Sequence, residues 1–250
     1  MRLAPQNRRL PRLLPRRTPR WARWAAAVAA LLLLAAGADA FTAHRVEDSM
    51  AEDFKEAQSL PGEPSVTVHG RPVLTQLARG RLERVELTAH DVPAGEGGRR
   101  VPVSTLHVEL ADVERGGADK AHAGSAKAEA QVSWADLSRG LGIRVGPGRP
   151  GADGRPRVTA TTRLPLLGEV SVSAEVAASG PRSIAFRSPE VTSGSLPGAA
   201  EGLLSGALER GLTLDGIPEG LALDRVRTTD EGLTSELSGE DVTFRRSGRG

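Results

Sequence analysis

The stretch SAKAEAQVSW at residues 125–134 decides the fold, because apolar and polar residues alternate along it without a break. Small apolar residues occupy every second position, and Lys127, Glu129 and Gln131 stand between them. A period of two is typical of a β-strand with one face against a core and the other in water, and such strands usually pair antiparallel. The stretch therefore predicts an antiparallel sheet with one apolar face.

Further segments have the length and alternation of strands. They are residues 65–69, 82–89, 101–113, 157–164, 170–177, 183–186, 221–228 and 233–244. The clearest alternation runs from Val170 to Val176, where Ser171, Ser173 and Glu175 form the polar side. Between Val103 and Leu106 the alternation breaks by one residue, which predicts a β-bulge and local curvature.

Three helices are expected among these strands. Residues 41–60 repeat apolar side chains every three to four positions, and Pro61 and Gly62 end that pattern. A short helix follows Ser133, a plausible N-cap, and ends at Gly140 or Gly142. The third covers residues 198–212 and is apolar over most of its circumference.

Residues 1–40 have the anatomy of an export signal. Residues 1–38 contain eight Arg and no acidic residue, and residues 24–38 are an apolar or small run. Fifteen helical residues span roughly 22 Å, short of a hydrocarbon core of about 30 Å, which favours a cleaved signal peptide. Trp21, Trp24 and the helical pattern past Ala40 favour an uncleaved signal-anchor equally well. Both place the body on the extracytoplasmic face of the cell membrane, either anchored or exported after cleavage.

The charge of the remaining chain argues against nucleic acid as a partner. Without the leader, 25 basic side chains stand against 31 acidic ones, so the body is mildly acidic. Tyr is absent and aromatic residues make up 3% of the chain, which leaves few surfaces for base stacking. The chain has no Cys, so disulfides and thiolate metal sites are excluded.

The sequence lacks a recognisable catalytic or metal-binding motif. Its five His residues are scattered without metal-ligand spacing, and neither HExxH nor GxSxG occurs. Residues 146–151 satisfy GxGxxG as a string, but Pro150 and Pro156 oppose the helix that a dinucleotide site requires. We therefore expect no enzyme activity, no catalytic residue, no metal and no cofactor. Residues 146–157 are instead expected to form a Gly- and Pro-rich loop.

Many inward-facing strand positions are small. The members of this set are Ala89, Ala126, Ala128, Ala130, Ala160 and Ala174. Because protein interiors reach crystal-like density, small inward residues imply either closely packed layers or space for a guest molecule. Composition alone leaves both interpretations open and slightly favours a filled core.

One long run resembles a known family. The run is LPGEPSVTVHGRPVLTQLARGRLERVELTAHDV at residues 60–92, and it is similar to the signature of the LmeA-like phospholipid-binding family of actinobacterial envelopes. SWADLS at 133–138, LALDRV at 221–226 and LSGEDV at 237–242 are similar too, so the resemblance covers residues 39–244. One departure is Val73, where the family often has an aromatic residue.

The resemblance implies an α+β fold and a lipid ligand. The implied architecture is a curved, mostly antiparallel β-sheet wrapped around two or three helices, similar to tubular lipid-binding proteins, with the N-terminal signal or anchor helix before it. Residues 41–250 would then form a single lipid-binding domain with an apolar groove for acyl chains. The implied function is extracytoplasmic phospholipid binding in the maintenance or transport of envelope lipids or lipoglycans. The membrane would be a second partner, through the N-terminal segment, and any protein partner is unknown.

The groove residues expected under this hypothesis are apolar residues of the predicted strands and helices. They are Phe54, Leu74, Leu77, Leu82, Val85, Leu106, Val132, Trp134, Leu137, Val172, Phe186, Leu203, Leu204 and Leu208. Residues 74–81 are expected to form a lip, with Arg79 and Arg81 near an anionic headgroup. The competing hypothesis is a non-catalytic structural or protein-interaction module of the envelope with a dry core.

Overall fold

A computed structural model of the protein describes residues 20–93, 101–115, 120–151, 154–164, 168–194, 212–214 and 217–245. The chain divides into a unit of residues 1–38 and a larger compact unit of residues 39–250. Helix α1, Arg20–Gln58, begins in the first unit and ends in the second. By length and composition alone, its portion Ala29–Gln58 is apolar enough to cross a membrane, although a signal sequence passes the same test.

A six-stranded antiparallel sheet forms the main layer of the second unit. Its strands are β1 Ser65–His69, β2 Arg81–Val92, β3 Val103–Arg115, β4 Lys120–Ser133, β10 Glu219–Thr228 and β11 Gly232–Arg245. They lie in the order β1-β2-β3-β4-β11-β10, so the last two strands of the chain add to the edge formed by β4. The stretch at 125–134 is central to this sheet, because Ala128 pairs with Val108 on one side and with Leu237 on the other.

A second antiparallel sheet has five strands. They are β5 Arg144–Pro147, β6 Arg157–Leu164, β7 Gly168–Gly180, β8 Ser183–Ser193 and β9 Leu212–Thr213, in chain order across the sheet. The short strand β5 was not predicted, and it takes Gly146 and Pro147 out of the expected loop. Val145 pairs with Ala160 of β6, and the connection between these strands begins at Gly148.

The two sheets share one buried cluster. Val176 of β7 and Ile184 of β8 are fully buried against Leu223 and Val226 of β10 and Leu237 of β11. Backbone bonds reinforce the contact, since the N–H of Leu223 donates to the carbonyl of Pro181 at 2.8 Å. We call this set cluster A. Burial of one apolar face accounts for the alternation in the large sheet. On β7 the polar side is buried as well, because Ser173 and Glu175 are 5% and 8% exposed, and Glu175 pairs with Arg155 at 3.2 Å.

Helix α1 packs along the opposite end of the large sheet. Ala43 and Ala51 are buried among Val66, Val85 and Val113, a set that we call cluster B. Leu60 lies in a third buried group, cluster C, with Ala89 and Val92, and the half-buried Phe54 and Leu106 pack against it. Glu47 of α1 also occupies one backbone donor on the free edge of β1, because its Oε1 atom accepts a hydrogen bond from the N–H of Val68 at 2.8 Å.

The large sheet bends along a line that crosses its strands. One residue on each of four adjacent strands is missing from the ladder, and these residues lie opposite one another: Glu83, Asp112, Gly124 and Asp241. The register is the same on both sides of this line. Asp112 and Asp241 have φ values of 54° and 52°, in the left-handed region. On each strand the burial pattern shifts by one residue at this line, as between Leu82 and Val85. The apolar face therefore points inward on both sides of the bend.

A second interruption explains the break in alternation at Val103 and Leu106. Asp91 has φ of 53°, and neither Asp91 nor Ser104 enters the β2–β3 ladder, although His90 pairs with Thr105 and Val92 with Val103. The irregularity therefore consists of the left-handed residue Asp91, and the register between β2 and β3 is unchanged. The β-bulge predicted here is absent, because a bulge adds one residue to one strand and the β2–β3 register does not shift.

Two more helices lie in the described chain. Helix α2, Val73–Ala78, was predicted only as a lip, and helix α3, Trp134–Leu141, begins after the predicted cap Ser133. Gly142 ends α3 in the left-handed conformation, with φ of 68°. The helix predicted at 198–212 lies outside the described residues, except that Leu212 belongs to β9. The α+β architecture with a mostly antiparallel, curved sheet is otherwise as expected.

Candidate functional site

The centre of the large sheet carries six apolar side chains that are only partly buried. They lie on the inner face of β2, β3 and β4 and form what we call the central strip: Leu87, Leu106, Val108, Ala128, Ala130 and Val132. Cross-strand pairs hold them side by side, Leu87 with Val108, Val108 with Ala128, and Leu106 with Ala130. Partial exposure of contiguous apolar side chains in the middle of a sheet distinguishes this region from the buried parts of the same face.

Buried clusters surround the central strip. On β4, Ala123 and Ala126 are 0% and 2% exposed, whereas Ala128 and Ala130 beyond them remain partly exposed. Leu87 packs against both clusters B and C, and Leu110 packs against both A and B. The apolar surface is therefore continuous across the inner face, and its burial is least complete at the strip.

The dimensions of the strip suit a hydrocarbon chain. From Ala128 to Val132 the strand β4 extends about 13 Å at roughly 3.3 Å per residue, close to the length of about 15 Å for half of a bilayer core. The alanine side chains along β4 project only a short distance from the sheet, whereas Leu106 and Val108 on β3 project further. Each methylene that moves from water onto such a surface gains about 0.8 kcal/mol.

The predicted groove residues are distributed over all three clusters. Leu106 and Val132 lie in the strip itself, and Phe54 contacts cluster C. Trp134, Leu137 and Phe186 are half-buried against cluster A. Leu82 and Val85 are buried in cluster B beneath α1, and Val172 is buried on β7 of the other sheet. The strip members Leu87 and Val108 were not predicted, although they continue the alternation that identified Leu106.

Leu203, Leu204 and Leu208 lie outside the described residues. Leu74 and Leu77, in contrast, lie on α2 and are exposed. Their assignment to the groove remains a prediction, as it does for the other members of the set.

The two arginines expected near a headgroup differ in their surroundings. Arg81 is engaged, because its Nη2 atom lies 2.7 Å from Asp112 and its Nη1 atom 3.5 Å from Glu114. The hydrogen bond and charge of Asp112 raise the pKa of Arg81 above its ordinary value. Arg79 is exposed and forms no ion pair with the part of the chain that the structure describes. Arg79 is therefore the better placed of the two to meet an anion.

The signature segment around residues 69–83 is held by a buried amide. Gln76 is 5% exposed, its Nε2 atom donates to the carbonyl of His69 at 3.2 Å, and its Oε1 atom accepts from the N–H of Glu83 at 2.8 Å. The adjacent Val73 is 1% exposed. Asp39 of α1 completes the arrangement, since its Oδ1 atom accepts from the N–H of Leu74 at 2.8 Å. These residues fix the position of α2 relative to α1 and β2.

The SWADLS segment also has an architectural role. Ser133 caps α3 by accepting from the N–H of Asp136 at 3.1 Å, and its hydroxyl donates back to Oδ2 of Asp136 at 2.6 Å. The bond from Ser133, with help from Arg139 and Ser104, holds the pKa of Asp136 below its ordinary value against the opposing effect of burial. Ser138 then ties α3 to β5, because its hydroxyl accepts from the N–H of Val145.

The histidines of the body lie apart from the strip. His107 contacts Thr88 and Glu109 on the polar face of the large sheet, and His122 lies 3.6 Å from Asp241. Within the described ranges, no three His, Asp or Glu side chains are grouped so that they could hold a metal ion.

Comparison with known families identifies the class of protein. A curved antiparallel sheet with an apolar inner face is suited to binding a water-insoluble molecule, and the family model described as LmeA-like phospholipid-binding matches residues 37–238. The chain belongs to this LmeA-like phospholipid-binding family. No curated protein and no solved structure matches the chain. The family is described by what it binds and not by a reaction.

Proposed function

We propose that the protein binds phospholipid by laying an acyl chain along the central strip. The partial exposure of the six apolar strip residues, in a chain of a phospholipid-binding family, is the observation that carries the proposal. The free energy of binding would come from hydrocarbon burial, because eight methylenes at about 0.8 kcal/mol each amount to roughly 6 kcal/mol. No charged group is required within the strip, and the role is binding without catalysis.

The location that we propose is the extracytoplasmic face of the cell membrane. The Arg-rich leader precedes the apolar part of α1, and positive residues favour the cytoplasmic side. The body would then lie outside, where it would take part in the maintenance or transport of envelope lipids or lipoglycans. Fusion of a reporter that is active only outside the membrane to residue 250 tests this orientation.

Adjacent residues of β4 offer a matched test of the strip. Ala130 lies on the inner face, whereas Glu129 is exposed on the outer face of the same strand. The change Ala130→Trp should fill the strip and reduce bound phospholipid by more than tenfold, and Glu129→Trp should leave binding unchanged. Native mass spectrometry of the full-length protein, released from detergent, would count the bound lipid.

Circular dichroism of both variants separates loss of binding from loss of the fold. If the folded Ala130→Trp protein retains as much lipid as Glu129→Trp, the strip is not the binding site. If the unmodified protein carries no lipid at all, the interior is a dry core and the protein is a structural module of the envelope.

A further inference from the structure

Helix α2 presents an apolar side to solvent while its other side is fixed. Leu74 and Leu77 are 43% and 38% exposed and lie three residues apart, on the same side of the helix. Val73 and Gln76, on the neighbouring face of the helix, are buried, and Gln76 is hydrogen-bonded as described above. Because α2 is held to the rest of the domain by these contacts, mobility of the helix does not explain why the two leucines face water.

The exposed apolar residues of the body concentrate near Asp39. Within the described part of residues 39–250, the large apolar residues left exposed are Phe41, Leu74, Leu77, Leu141 and Val191. Phe41 follows Asp39 by two positions, Leu74 is hydrogen-bonded to Asp39, and Leu77 is one helical turn further. Asp39 is also the residue at which the chain leaves the apolar run of the leader.

Cations accompany these apolar side chains. The side chain of Arg71 is 69% exposed and forms an ion pair with Asp39, with 3.8 Å between its Nη1 atom and Oδ2 of the carboxylate. Arg79, at the C-terminal end of α2, is exposed without an ion-pair partner in the described chain. Arg45 lies over the ring of Phe41 at 5.1 Å. Apolar residues flanked by exposed Arg side chains are complementary to the interface of an anionic bilayer, where hydrocarbon and phosphate lie within one layer.

We propose that α2 and Phe41 form a membrane-docking surface. Leu74, Leu77 and Phe41 enter the headgroup layer of a bilayer, and Arg71 and Arg79 pair with anionic phospholipid there. This contact goes beyond the proposed function, because it needs neither the central strip nor an acyl chain removed from the bilayer. It holds the α2 end of the folded body against a bilayer surface.

The absence of Cys makes a site-specific test direct. Single variants Leu77→Cys and Leu141→Cys of the full-length protein would each carry one environment-sensitive fluorophore. Leu141 is a matched control, because it is an exposed leucine at the end of another helix. The labelled proteins would be reconstituted into phosphatidylcholine vesicles with or without phosphatidylglycerol, and with lipid-attached quenchers.

Docking predicts a blue shift and quenching by lipid for the label at residue 77, greater with phosphatidylglycerol, and an aqueous spectrum for the label at residue 141. Arg79→Glu should remove the dependence on phosphatidylglycerol, whereas Arg187→Glu, the same change on β8, should not. A label at residue 77 that stays aqueous in both vesicles overturns the proposal. So does a label shielded from water but not quenched by lipid, which indicates a protein contact.

The two proposals fail separately. Ala130→Trp should leave the signal of the residue 77 label intact, because docking does not use the strip. Loss of docking with retained lipid in native mass spectrometry would overturn the docking surface alone.

Discussion

The carboxylate of Asp39 on α1 caps the first turn of α2 by accepting the N–H of Leu74 at 2.8 Å. The N-cap position of α2 is Pro72, which has no side chain able to do this. A residue 35 positions earlier in the chain therefore supplies the cap, and α2 can keep its position only while α1 keeps its own.

Removal of this cap should loosen α2 specifically. We expect Asp39→Ala to lower the free energy of unfolding by about 1–2 kcal/mol, since a partly buried N–H loses its acceptor. Hydrogen exchange of the α2 amides should accelerate more than that of β4. Chemical unfolding in detergent provides the magnitude, and Asp48→Ala, an exposed carboxylate on the same helix, should change it by less than about 0.5 kcal/mol.

Replacement of Gln76 should be more costly. Gln76→Ala leaves both the carbonyl of His69 and the N–H of Glu83 without their partner, so we expect a loss of about 2–3 kcal/mol. The neighbouring change Thr75→Ala removes an exposed side chain and serves as control. If the two variants have equal free energies of unfolding in urea, the Gln76 amide does not hold His69 and Glu83 together.

Asp136 should make stability depend on acid pH. Because its pKa is lowered in the folded protein, its contribution is present above the ordinary carboxyl pKa and is lost as the pH falls towards the folded value. Asp136→Asn should therefore cost about 1 kcal/mol at neutral pH, and the difference should shrink below about pH 4. Unfolding curves across that range check this, and a difference independent of pH would contradict it. Asp224→Asn, at an exposed position, is the control.

The bend should reverse the usual preference of a strand for branched residues. Asp241 has φ of 52°, which valine tolerates poorly and glycine readily. We expect Asp241→Val to lower the unfolding free energy by about 1–2 kcal/mol and Asp241→Gly to be nearly neutral. Glu240→Val, one residue earlier in the regular ladder, should change it by less than about 0.5 kcal/mol. If valine is tolerated equally at 240 and 241, the left-handed conformation is not required.

Strand identity followed from sequence because alternation is a local property. The segment at 157–164 coincides with β6, and the segment at 65–69 with β1, since each has clear boundaries in Pro or Gly nearby. Strand β5 was missed because four residues containing Gly146 and Pro147 carry too little pattern. Its pairing with β6 is a tertiary contact that local composition does not encode.

The candidate site was less accessible to sequence analysis than the fold. Leu106 and Val132 were identified, but so were Leu82 and Val85, which are equally apolar and lie deep beneath α1. Alternation specifies the face of a sheet on which a side chain lies and says nothing about what covers that face. The roles of Asp39 and Gln76 depend on partners distant in the chain or across a turn, so their residue types alone gave no signal.

The bond between Glu47 and Val68 bears on the self-association of the protein. When copies of a protein meet at high concentration, open strand edges can pair through backbone hydrogen bonds and form continuous sheets. The carboxylate of Glu47 occupies a backbone donor on β1 that an incoming strand would need. Assembly through that edge must first displace a charged acceptor, which favours separate copies even at high protein concentration.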